Sequence, residues 1–146
     1  MQLRYTLLIL FVLTSCSLFK LRQSDPILME YVRHFEEQFQ MTLHGVSINF
    51  DNLTSYDGND NLNTIGICTP TGNMYIDKKF FENASERERL SVIYHEIGHC
   101  IFYWEHDDRM MNDYCPASIM TPVIPINYCL DFHWENYIEE YRDKIN

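Results

Sequence analysis

The chain has little positive charge: 11 lysines and arginines stand against 21 aspartates and glutamates, a formal net charge of −10 over 146 residues. That balance excludes an electrostatic grip on nucleic acid or on anionic lipid. Its cysteines show no CxxC spacing, which speaks against a cysteine-based metal knuckle. No internal repeat or low-complexity tract is present, so one domain at most is expected. No apolar run is long enough for a permanent transmembrane helix; the longest, over residues 6–13, sits at the extreme N-terminus behind Arg4.

That run suits a secretory signal peptide of residues 1–15, and Leu13-Thr14-Ser15-Cys16 closes it. Small residues before a cysteine resemble a bacterial lipobox, and the resemblance implies cleavage before Cys16 and lipidation of its thiol. Residues 16–25 are short, polar and unpatterned, as expected of a lipidated tether. The folded domain then occupies residues 26–146. An exported protein, lipid-anchored to the bacterial cell envelope and periplasmic or surface-facing, is expected. Four further cysteines remain, Cys68, Cys100, Cys115 and Cys129, enough for two disulfides in an oxidising compartment. A Cys100–Cys115 bridge is one expectation, because it would clamp the loop between them.

Within the domain, Leu28, Tyr31, Val32, Phe35 and Phe39 recur at helical spacing and predict an amphipathic helix over 27–39, with His34 beside its apolar stripe. Strict alternation over 46–50 predicts a half-buried strand. Residues 51–63 are rich in Asn, Asp, Ser and Gly without an EF-hand register, and read as a solvated loop rather than a calcium site. Two short strands, over 64–69 and 73–77, flank the turn-forming Pro70-Thr71-Gly72. A terminal helix over 130–145 should face Leu130, Trp134, Tyr137, Ile138 and Tyr141 inward. The fold class expected is α+β.

The chemistry concentrates in His95-Glu96-Ile97-Gly98-His99, an HExxH pattern. Ser85 with Glu88 three residues on forms a capping box ahead of it, and Leu90, Ile93, Ile97 and Ile101 supply a buried stripe, so the pattern falls on a helix. Histidines four apart on a helix project from one face about 6 Å apart along the axis, a separation one tetrahedral zinc can bridge. Glu96 lies roughly 100° round the helix, able to reach a water on the metal without ligating it, which is the place of a general base. A catalytic zinc needs a third protein ligand. His106 is the best candidate on ligand chemistry, and Glu135 or Glu139 on the terminal helix are the alternatives. His106 falls about 20° from the face of His95 but some 10 Å beyond His99 along a continuous helix. It can join the pair only if the helix ends soon after His99 and the chain turns back.

The segments His95-Glu96-Ile97-Gly98-His99-Cys100, His106 and Ser118-Ile119-Met120-Thr121-Pro122 together resemble the metzincin clan of zinc peptidases, in particular its small exported matrixin-like members. The resemblance covers about 28 residues closely. It implies a small metzincin-like domain, with a short twisted mixed sheet, an N-terminal helix, an active-site helix and a C-terminal helix. It also implies His95, His99 and His106 as zinc ligands, Glu96 as catalytic base and Met120 in a methionine turn beneath the metal. The chain departs from the commonest clan pattern, which has glycine seven residues after the first histidine and the third histidine at ten. Phe102 and Glu105 stand at those places, and Ile101-Phe102-Tyr103-Trp104 contains no helix breaker.

The expected activity is zinc-dependent hydrolysis of a peptide or protein substrate, by a monomer with no nucleic-acid partner and a membrane contact through the lipid anchor. The alternative is a lipid-anchored binding or structural protein with a non-catalytic zinc site.

Overall fold

A computed structural model describes residues 24–53 and 64–146. The segments expected to form a signal peptide and a lipidated tether, including Cys16, and most of the expected 51–63 loop lie outside the described residues, apart from residues 24–25 and 51–53. Among the described residues, four helices and a three-stranded mixed sheet make an α+β domain. The elements in chain order are α1 (Pro26–Phe39), β1 (Ser47–Asp51), β2 (Gly66–Cys68), β3 (Asn73–Asp77), α2 (Lys78–Asn83), α3 (Glu86–Phe102) and α4 (Asn127–Ile145).

Each helix start has a local cause. Asp25 accepts from the Ile27 amide and Pro26 occupies the first turn of α1, where its missing N–H is no loss. Asp77 ends β3 and begins α2 at once: its Oδ1 accepts from Phe80 N at 2.7 Å, while Oδ2 accepts from Leu53 N at 3.1 Å. Ser85 and Glu88 close the expected capping box on α3. The six-residue α2 was not expected, since a helix this short shows no resolvable periodicity.

In the sheet, β3 is central, pairing in parallel with β1 and antiparallel with β2. The strand expected over 64–69 is confined to Gly66–Cys68, which leaves β2 as a short edge strand. Helix α3 packs across β2 and β3, with α1 and α4 against it. Leu28, Val32 and Phe35 of α1, Leu90, Ile93 and Ile97 of α3, and all five residues expected to face inward from the terminal helix are buried. At the centre, the rings of Phe35, Phe39, Trp134 and Tyr141 surround Tyr94, and the Tyr141 hydroxyl donates to the Tyr94 carbonyl at 2.9 Å.

The four cysteines among the described residues are bridged, but the pairs are Cys68–Cys100 and Cys115–Cys129. The expected Cys100–Cys115 bridge is therefore wrong. Cys100 faces β2 as α3 crosses it, so its partner comes from the sheet, whereas Cys115 meets the first turn of α4. Which thiols meet depends on tertiary packing, which cysteine spacing does not encode. Two disulfides suit an oxidising compartment. No helix among the described residues is long and apolar enough to cross a membrane.

Candidate metal centre

Helix α3 delivers His95 and His99 to one face, and it ends where His106 requires. Tyr103, the residue after Phe102, takes a left-handed conformation at φ 58°, and its N–H and that of Trp104 both turn back to the Gly98 carbonyl. The chain reverses there, and the ring nitrogens of His95, His99 and His106 come within 4.8 Å of one another. The ring centroids lie 4.5 to 5.2 Å apart.

The outer nitrogens fix the rings. Nδ1 of His95 donates to the Ile119 carbonyl at 2.8 Å, and Nδ1 of His99 donates to the Trp104 carbonyl at 2.6 Å. A carbonyl can only accept, so both rings carry their proton on Nδ1 and present an unprotonated Nε2 to the interior of the site. Those two Nε2 atoms face each other at 2.9 Å. Two lone pairs so close repel unless a cation lies between them, and tetrahedral zinc at about 2.0–2.1 Å from each nitrogen would hold such atoms about 3.3 Å apart. Burial depresses the His95 pKa to about 4 and lowers that of His99, which keeps both rings neutral and available as ligands. The triad could therefore hold a metal ion.

Two close approaches complete the surroundings. Met120 is fully buried, and a Cβ added to Gly98 would stand 2.4 Å from its Sδ; only glycine lets the methionine lie against α3 between the two histidines. The turn bearing Met120 is held from several sides: Met120 N donates to Ser118 Oγ at 3.0 Å, Ser118 Oγ donates to Glu140 Oε2 at 3.0 Å, and Asp107 N donates to Met120 O at 2.8 Å. Beyond His106, the Arg109 guanidinium grips Asp107 and holds its carboxyl down at about 2, with Lys144 alongside.

Glu96 lies under β2, where a Cβ on Gly66 would come within 2.5 Å of its Oε1. Its Oε2 is buried without a hydrogen-bond partner among the described residues, and burial raises its pKa to about 8. Glu96, the three histidines and the whole of β2 line one cleft of about 1320 Å³, together with Tyr103 and Val123. Glu135 and Glu139, the alternative ligands, lie exposed on α4 and outside the triad. His34 is engaged with the Tyr94 hydroxyl at 2.7 Å.

A second cluster, Asp113, Cys115 and His133, lacks a thiolate because Cys115 is bridged to Cys129. Reading the sequence missed Tyr103, Gly66 and the Ser118–Glu140 support. Gly98, an isolated glycine inside a strong helix, was the one local sign of a close approach. Comparison with protein-family profiles, curated proteins and solved structures finds no match.

Proposed function

We propose that the protein is a zinc-dependent peptidase with a metzincin-like arrangement of His95, His99, His106, Glu96 and Met120. The observation that carries this reading is the pair of Nε2 atoms of His95 and His99 facing each other at 2.9 Å, closed by a third histidine in the cleft that also holds the buried Glu96 carboxyl. Three neutral nitrogen donors suit zinc and leave a coordination position open. When bound, zinc supplies a Lewis acid that polarises a carbonyl oxygen and acidifies a water.

The chain's own groups supply the rest. The Ile119 and Trp104 carbonyls fix the two helix imidazoles in the ligating tautomer and orientation. Glu96, one helix step from His95, takes a proton from the attacking water and delivers it to the departing amine. In the metal-free fold, burial makes this carboxyl hold its proton more tightly than it would in solvent. Since β2 is an edge strand lining the cleft, an extended peptide can lie along it, main chain to main chain, with its scissile bond over the histidines.

Elemental analysis of the purified chain and cleavage of a peptide library test the reading together. Wild type should hold one zinc per chain and cleave in a chelator-sensitive way. Glu96→Ala should keep the zinc and lose at least about a hundredfold in kcat, and His106→Ala should lose the zinc. A chain that binds zinc tightly yet cleaves nothing is a non-catalytic zinc protein, and undiminished cleavage by Glu96→Ala overturns the mechanism.

A further inference from the structure

The three long helices run in one direction. Tyr31 of α1 donates to Glu86 at the start of α3, and Ser85 donates to Asn127, the first residue of α4. Farther along, Phe35 and Phe39 of α1 and Tyr141 of α4 close around Tyr94. Pro26, Glu86 and Asn127 therefore share one end of the domain. His95 and His99 lie nine and thirteen residues beyond Glu86, about 14 and 20 Å along α3 from that end.

Four large apolar side chains are exposed on the elements that begin here. Ile27, Ile126, Tyr128 and Phe132 are all between 55 % and 71 % exposed, and the rings of Tyr128 and Phe132 stack at 5.6 Å. Ile126 occupies the N-cap of α4 with no side-chain cap bond, where Ser, Thr, Asp or Asn would satisfy an amide that isoleucine leaves to its surroundings. The chain also enters the domain here, through Asp25 at the cap of α1. The apolar run over residues 6–13 and Cys16 lie just upstream. Ser24 is eight chain steps from Cys16, a reach of at most about 29 Å when fully extended.

We propose that this end of the domain docks on a lipid bilayer, with Ile27, Ile126, Tyr128 and Phe132 entering the interfacial layer. The inference rests on the reading of Cys16 as a lipid anchor and is independent of the peptidase activity. An anchor at Cys16 holds this end against the membrane, and amphipathic aromatic rings favour the boundary between headgroup and acyl chain. A net charge of −10 gives anionic lipid no attraction, so the contact is apolar and insensitive to salt. Docked this way, His95 and His99 stand roughly 14 and 20 Å along α3 from the docked end.

The test uses the full chain, purified from membranes and reconstituted into phosphatidylcholine vesicles with brominated acyl chains. Single variants Tyr128→Trp and Phe132→Trp are compared with Glu139→Trp, farther along the exposed side of α4. The tryptophans introduced at 128 and 132 should be quenched at least about twofold more than the one at 139, in low and high salt alike. Equal quenching at the three positions in vesicle-bound protein overturns the proposal. So does a dimer in detergent that shields position 132 from an aqueous quencher, which assigns the patch to a second copy of the chain. An unmodified Cys16 by mass spectrometry, in a chain that leaves vesicles, overturns anchor and docking together and leaves the peptidase reading standing.

Discussion

Tyr103 sets the position of the third histidine and does so against its own preference. A side chain in the left-handed region costs about 1 kcal/mol, and glycine adopts it freely. Tyr103 recovers nothing by packing, since it is 84 % exposed. The reversal is held instead by its neighbour. Trp104 stacks on Phe102 at 4.9 Å, meets Tyr141 at 4.7 Å, and offers its carbonyl to His99. On the metzincin-like reading proposed above, the helix exit and the third histidine each come one residue later than in the commonest pattern of that clan. Tyr103→Gly should therefore raise stability by about 1 kcal/mol, a rise of about 3–6 °C in melting temperature for a domain of this size. Calorimetry of the metal-free protein checks it. A lower melting temperature would show that the tyrosine side chain is itself part of what holds the turn.

At the scale of elements, α1, α3 and α4 were legible because each carries an apolar stripe, and α3 also carries a start signal in Ser85-x-x-Glu88. The HExxH pattern likewise located two histidines and a carboxylate, because four residues on a helix is a local relation. What could not be read is non-local. Nothing in residues 47–51 or 73–77 says that these strands pair in parallel with β2 on the far edge, or that Cys68 rather than Cys115 meets Cys100. The bend at Tyr103 was required by His106, but its cause, Trp104 against Tyr141 of α4, lies across the fold. The Cys68–Cys100 bridge binds the edge strand of the cleft to the histidine helix across 32 residues, and Cys115–Cys129 closes only 14. Chain entropy makes the first worth about 3.7 kcal/mol and the second about 3.0. Cys68→Ala/Cys100→Ala should melt lower than Cys115→Ala/Cys129→Ala and lose more peptide cleavage, since only the first pair frees β2 from α3. Equal effects on cleavage would mean that strand pairing alone positions β2.

For the molecule as a whole, the site stores its strain in protonation. The carboxyl of Glu96 is raised from about 4.5 to about 8 by burial, so the metal-free fold binds that proton more tightly than the unfolded chain does. Its contribution to stability is fully present below pH 4.5 and is lost as pH rises through 8. His95 works the other way, because burial lowers it from 6.5 to about 4; its contribution is present above pH 6.5 and disappears as pH falls through 4. Between 4.5 and 6.5 the two slopes oppose each other, and above 6.5 Glu96 acts without that opposition. Metal-stripped wild type should therefore lose about 2 kcal/mol between pH 6.5 and 8 relative to Glu96→Gln, which keeps the shape without the charge. A cation on the histidines reverses the logic, since a carboxylate beside it is stabilised and the opposed lone pairs are satisfied. Zinc at a hundredfold excess over its dissociation constant adds about 2.7 kcal/mol of stability, and the pH 6.5–8 decline should flatten in the same titration. Urea melts at four pH values, with and without zinc, measure both. Parallel pH profiles for wild type and Glu96→Gln without metal would mean that solvent reaches Glu96 and that burial does not hold its proton.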